Sequence, residues 1–223
     1  FGLPQAPSVL RFLRAVDAGD AEQVFSSARR AYEVGTRLLE SVRDQGSEKA
    51  FPTTGVTLRG YQWDAVRWLQ KLRELQLGGI LADDMGLGKT LETIVHLGIE
   101  KTAGRLDRPA LVVVPTSLVP NWERELARFL PSAVVLVYHG PRRERERARV
   151  VTSEIVITSY PVLVRDLEFL RAQEYSCVIL DEAQAIKNDR SLVAQAAKLL
   201  VAPHRLCLSG TPIENNLSEL WSL

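Results

Sequence analysis

Two short stretches of this 223-residue chain carry the residue types of phosphoryl-transfer chemistry. The first is Asp83-Asp84-Met85-Gly86-Leu87-Gly88-Lys89-Thr90, between an apolar run and a helical pattern. Gly86 and Gly88 let the backbone curl so that successive N–H groups point at phosphate oxygens. A helix starting at Lys89 adds its positive dipole end. The Lys89 ammonium would reach the β- and γ-phosphates of a nucleotide, and the Thr90 hydroxyl would ligate Mg2+. The general phosphate-loop pattern has glycine six residues before the lysine, whereas this chain has Asp83 there. The second stretch is Val178-Ile179-Leu180-Asp181-Glu182. Asp181, at the carboxyl end of a buried strand, would hold Mg2+ through water, and Glu182 would orient or deprotonate the attacking water. Capping of the next helix is the other use of two such carboxylates. Together with Lys89 and Thr90 they point to an ATP site.

These groups must be delivered by a scaffold, and the chain supplies one. Apolar runs at 79–82, 110–114, 134–138, 154–158, 177–180 and 205–208 read as strands. Helical patterns at 89–103, 119–130, 141–150, 161–170 and 191–201 lie between them. Strands that are apolar throughout are buried on both faces, which marks a mainly parallel sheet sandwiched by helices. The fold class is therefore α/β, with ligands expected at the carboxyl ends of the strands. Residues 1–50 show instead two helical stripes and no catalytic spacing, so they read as a helical appendage. A polar, turn-rich connection leads from it into an α/β domain over 51–223.

Composition narrows the class. Hydrophobic residues make up 46% and charged residues 25%, which excludes a disordered chain, and no apolar run is long enough to span a bilayer. The net charge of +1 leaves no basic arm or acidic tail, so any contact with nucleic acid must be local. Cys177 and Cys207 lie in apolar runs and read as buried thiols, and His96, His139 and His204 have no ligand spacing. The chain opens on Phe1 without a signal-peptide pattern and stops within an amphipathic pattern, so it reads as a piece of a longer, cytoplasmic protein. The stretch Arg142-Arg143-Glu144-Arg145-Glu146-Arg147-Ala148-Arg149 reads as a solvated face with local pairs such as Arg142 with Glu146, and a DNA-backbone patch is the sharper alternative.

Six phrases in order carry a resemblance. They are Leu58-Arg59-x-Tyr61-Gln62, Asp83-x-Met85-Gly86-Leu87-Gly88-Lys89-Thr90, Val113-Val114-Pro115-x-Ser117-Leu118-x-x-Asn121-Trp122-x-x-Glu125, Ile157-Thr158-Ser159-Tyr160, Asp181-Glu182-Ala183-Gln184, and Leu208-Ser209-Gly210-Thr211-Pro212-Ile213-Glu214-Asn215-Asn216. Over residues 55–223 the chain resembles the first RecA-like lobe of Swi/Snf-family ATPases, the helicase-related motors of chromatin remodellers and their bacterial relatives. The Asp-Glu-Ala-Gln box and the 22 arginines against six lysines look more like a bacterial, nucleoid-associated member.

The resemblance implies roles that spacing does not show. Gln62 would recognise adenine, supported by Arg59 and Tyr61, with the Met85–Thr90 loop holding the phosphates. Gln184 would sense the γ-phosphate and couple it to Ser209, Gly210 and Thr211. Double-stranded DNA would be gripped without strand separation by Pro115, Thr116, Ser117, Thr158, Ser159, Tyr160, Asn215 and Asn216, through hydroxyls and backbone N–H groups that hold phosphates without reading bases. Turn chemistry is the alternative use of each of these serines and threonines. A second RecA-like lobe of the same polypeptide would supply arginines worth roughly three to five powers of ten in turnover elsewhere, so this chain alone is expected to be nearly inactive. A protein–DNA complex is the implied substrate. An RNA helicase lobe and a nucleotide-gated binding module without turnover are the competing readings.

Overall fold

The computed structural model of the chain describes residues 57–82, 86–186, 188 and 190–210. The expected appendage over 1–50 lies outside them, as do Asp83, Asp84, Met85, Thr211, Asn215 and Asn216.

Six strands form one all-parallel sheet: β1 (Gly79–Leu81), β2 (Ala110–Val114), β3 (Val135–Val137), β4 (Ile155–Ser159), β5 (Cys177–Leu180) and β6 (Arg205–Leu208). Their spatial order is β1-β6-β5-β2-β4-β3. The sheet matches the expected α/β architecture, and β2, β5 and β6 coincide with the apolar runs that predicted them. The three strands buried at every position, β2, β4 and β5, occupy the middle of the sheet. The edge strands β1 and β3 are three residues each and half-exposed at two positions, so the run of exposure follows the order of the sheet.

The helices are α1 (Gly60–Glu74), α2 (Lys89–Thr102), α3 (Val119–Phe129), α4 (Arg147–Val150), α5 (Tyr160–Arg165), α6 (Leu167–Arg171) and α7 (Leu192–Leu199). Successive strand residues point to opposite faces. Leu111, Val113, Val156, Val178 and Leu180 share one core with Leu163, Leu170 and Ala197 of the last three helices. The alternate residues, such as Val112, Ile157 and Ile179, are equally buried toward the other layer, where α3 lies against β3 and β4. There α1, α2 and α3 pack on one another in chain order.

Two helical patterns are broken, and charge explains both. Residues 143–146 form a 3-10 turn before the short α4, in place of one helix over 141–150. Arg143 with Arg147 and Arg145 with Arg149 are like-charge pairs at i,i+4, which disfavour a continuous helix. The 161–170 pattern divides at Asp166, which leaves helical geometry at φ −107°, ψ 24°. Its carboxylate there accepts a two-pronged bond from Arg143 at 2.7 and 2.8 Å and a third from the Tyr138 hydroxyl at 2.8 Å.

Candidate nucleotide-binding site

Because all strands run in parallel, their carboxyl ends share one edge. Ladder bonds continue past two strands to fix what stands there: the Asp181 N–H donates to the Val113 carbonyl at 2.9 Å, and the Ser209 N–H to the Leu81 carbonyl at 3.1 Å. Asp181 is thereby set between β2 and β6, and Ser209 beside the strand that leads into the phosphate loop.

The end of that loop is shaped by its glycines. Gly86 and Gly88 have φ of +86° and +102°, in the region that favours glycine. Gly88 also caps α2, and a Cβ there would lie 2.5 Å from the Gln62 amide nitrogen. Gln62 approaches so closely because its Nε2 donates to the Leu87 carbonyl at 3.0 Å, while its Oε1 accepts the Arg59 N–H at the same distance. The Tyr61 hydroxyl donates to the same Leu87 carbonyl at 3.1 Å. Gln62 and Tyr61 are therefore tied to the phosphate loop, while Arg59 contributes through its backbone.

Lys89 and Thr90 begin α2 and face a cavity of about 310 Å³ together with Gly86, Gly88, Asp181 and Glu182. Leu118 of the β2–α3 connection, Asn121 and Glu125 of α3, and Leu91 of α2 complete the wall, and Asn121 donates to Glu125 at 3.0 Å. Sequence reasoning missed Asn121 and Glu125 as site residues, although the Asn-Trp-x-x-Glu phrase was the signal.

Asp181 is 6% exposed. Its Oδ2 accepts the Trp122 indole N–H at 2.7 Å and its Oδ1 accepts the Glu182 N–H at 2.9 Å. Burial pushes its carboxyl above the usual range, against the pull of these two donors. Each oxygen keeps lone-pair capacity beyond its one donor. A hydroxyl from Thr90 and a carboxylate from Asp181 are hard oxygen donors that suit Mg2+ completed by phosphate and water, rather than an all-protein cage. In keeping with that, no cluster of three or more ligating His, Cys, Asp or Glu side chains exists among the described residues.

Glu182 sits at φ +49°, a left-handed conformation that costs a non-glycine residue about 1–3 kcal/mol. The turn it makes brings Gln184 back, so that the Gln184 amide donates to the Glu182 carboxylate. The Ser209 hydroxyl in turn donates to Gln184 Oε1 at 2.9 Å. The structure thus links Gln184 on one side to Glu182 and on the other to Ser209, the first residue of the expected coupling segment. Gly210 follows directly, half-exposed.

The segments expected to face DNA divide. Thr116 and Ser117 are exposed and Pro115 is half-exposed. Thr158 and Ser159 are fully buried and Tyr160 is 4% exposed. Their hydroxyls are engaged within the protein: Thr158 donates to the Tyr138 carbonyl at 3.0 Å, Ser159 bonds His139 Nδ1 at 3.1 Å, and Tyr160 donates to the Asp181 carbonyl at 2.7 Å. The arginine stretch also departs from the expected pairing. Arg149 pairs with Glu146 at 2.6 Å, and Arg143 reaches Asp166 rather than a neighbour in sequence.

Comparison with known proteins agrees with this arrangement. The profile of the SNF2-related domain matches residues 61–223. YwqA of Bacillus subtilis is 40% identical over 190 residues, 84% of this chain and 21% of that protein. The ISWI chromatin-remodeling complex ATPase ISW2 of Saccharomyces cerevisiae is 40% identical over 173 residues, 74% of this chain and 15% of the relative. The SWI2/SNF2 ATPase core of Sulfolobus solfataricus, solved in complex with dsDNA, superposes with a TM-score of 0.72 at 38% identity. That match covers 79% of this chain and 37% of the neighbour's. The chain thus spans about a fifth or less of the curated relatives' length.

Proposed function

The chain belongs to the family of SNF2-related domains, and we propose that it is the ATP-binding lobe of a motor that couples ATP hydrolysis to movement along double-stranded DNA. The observation that carries the reading is the Glu182–Gln184–Ser209 relay at the end of β5 and β6. It connects the residue suited to activating water with the end of β6.

In this reading the N–H groups of the Gly86–Lys89 turn cradle phosphates, and Lys89 offsets their charge. Thr90 and Asp181 hold Mg2+, which when bound neutralises charge on the transferring phosphoryl group. Glu182 orients the attacking water and takes its proton, a role worth about two to four powers of ten in rate. Gln62 presents its amide to adenine beside the loop it already braces. Arginines from a second RecA-like lobe complete the site, so residues 51–223 alone turn over little ATP, and residues 1–50 form a separate appendage. The substrate is a protein–DNA complex, met on the nucleoid in the cytoplasm of a bacterium. Among the described residues no helix is long and apolar enough to cross a membrane.

The test is ATP turnover by the protein in its natural length with duplex DNA, single-stranded DNA, RNA or no addition. Stimulation by duplex DNA, lost in Lys89→Ala and Glu182→Gln, is the expected result. Stimulation chiefly by RNA would transfer the lobe to the RNA helicases, and ATP binding without turnover under any condition would leave a nucleotide-gated binding module.

A further inference from the structure

Strand order places the loops of the carboxyl edge in a row. The phosphate loop follows β1, Ser209 follows β6, and Asp181 with Glu182 follows β5. Next come Pro115–Ser117 after β2, Ser159 and Tyr160 at the end of β4, and last the turn 138–143 after β3. Neighbouring strands lie about 4.8 Å apart, so the last three stations extend over roughly 10 Å beyond the nucleotide half. The first two of these are segments that the family resemblance sets against DNA. The third has no role in that reading.

That turn is held firmly against the second station. The Tyr138 N–H donates to the Ile157 carbonyl at 2.8 Å, the Thr158 hydroxyl to the Tyr138 carbonyl at 3.0 Å, and His139 bonds Ser159. Arg143 closes the turn by donating to the Gly140 carbonyl at 3.0 Å while its fork grips Asp166. Arg147 lies over the Phe169 ring, 4.9 Å from its centroid. With the Arg143–Asp166 and Arg149–Glu146 pairs made, Glu144 is the one remaining acidic residue of the stretch against Arg142, Arg145 and Arg147. Arg142 is exposed, adjoins the pinned Arg143, and makes no ion pair among the described residues.

We infer that His139 and Arg142 form a phosphate-contact station for double-stranded DNA, extending the track of the β2 and β4 loops to the edge of the sheet. Ser159 is fully buried with its hydroxyl on His139, so the half-exposed imidazole, not the serine, offers a group to a backbone phosphate. Arg142 supplies the charge on a backbone already ordered, which reduces the entropy lost on binding. The inference rests on the DNA-motor reading and adds to it the residues at which the track ends.

The experiment measures duplex affinity of the natural-length protein across a salt series for wild type, Arg142→Ala, His139→Ala and Arg108→Ala. Arg108 is exposed just before β2, at the amino ends of the strands, and controls for the loss of one charge. Arg142→Ala is expected to bind roughly three- to tenfold more weakly at low salt, with a log–log salt slope flatter by about 0.9. His139→Ala weakens binding in the same direction, and Arg108→Ala follows the wild type. An Arg142→Ala curve that coincides with wild type overturns the inference and leaves the motor reading intact. The inference is overturned equally if Arg142→Ala loses only its competition by an acidic polypeptide, which would mark a protein-docking site. Absence of duplex binding by the wild type removes the motor reading, and this inference with it.

Discussion

The indole N–H of Trp122 donates to the buried carboxylate of Asp181 across 59 residues of sequence, at 2.7 Å. It joins α3 to the end of β5 and is one of two donors that hold Asp181 ionisable in a buried position.

Trp122→Phe keeps the ring and removes the donor. A buried acceptor left without its partner costs about 1–3 kcal/mol, so the urea midpoint should fall by that equivalent. Burial already raises the Asp181 carboxyl, and loss of the indole bond raises it further. Turnover that requires ionised Asp181 is lost as pH falls through its pKa. The acid limb of the ATPase profile should therefore move to higher pH in Trp122→Phe.

Gly88 and Gly86 share a positive φ but not their surroundings. A Cβ at Gly88 meets Gln62 Nε2 at 2.5 Å, whereas one at Gly86 meets nothing within 4 Å among the described residues. Gly86→Ala should cost about 1–2 kcal/mol of backbone strain alone. Gly88→Ala should cost more, and should weaken ATP binding roughly tenfold or more by displacing Gln62. Thermal melts and nucleotide titration of the two variants give the comparison; equal effects would remove the role given to the Gln62 contact.

Gln184 and Ser209 should behave as one unit. Gln184→Ala and Ser209→Ala are each expected to lower DNA-stimulated turnover while ATP affinity changes less than about threefold. The double variant should be little worse than either single one, with a coupling of about 0.5–3 kcal/mol in the cycle. Additive losses would show that the hydrogen bond between them carries no coupling.

His96 and His204 lie side by side within the protein, ring centroids 5.3 Å apart and planes tilted by 47°, with His96 Nδ1 at 2.8 Å from the Gln70 amide. Burial, aided by the neighbouring His204, lowers His96 from 6.5 to about 3, and burial lowers His204 as well. The unfolded chain therefore binds protons below about pH 6.5 that the folded chain refuses. The stability contributed by neutral His96 is present above about pH 6.5 and declines as pH falls toward 3, by up to about 1.4 kcal/mol per pH unit, and His204 acts in the same direction. Urea unfolding at about pH 7.5, 6 and 5 should show the decline, and His96→Gln should flatten it.

The readable parts of this chain are those whose signal is local. Ala110–Val114 and Cys177–Leu180 are apolar at every position, and they became the two buried strands whose adjacent ends carry the chemistry. The glycines before Lys89 and the carboxylates after Leu180 stand out as candidates for the same reason, and the structure sets them around one cavity. What was not legible depends on contacts distant in sequence. Arg143 finds Asp166 23 residues away, so no rule of helical spacing predicts that pair. Nor does the Thr158-Ser159-Tyr160 phrase declare that its three hydroxyls turn inward, because that direction is set by Tyr138, His139 and Asp181.

The all-parallel sheet has one further consequence. With the loops proposed to face nucleotide and DNA gathered at the carboxyl ends of the strands, the amino ends take no part in either proposal. The α2–β2 connection there is exposed at 103–105, and Gly104 turns at φ +69° with open space around its Cβ position among the described residues. Evolution and engineering alike can graft at such a place: an inserted module, a fluorophore or a surface tether would report on the motor, or redirect it, without entering its working edge.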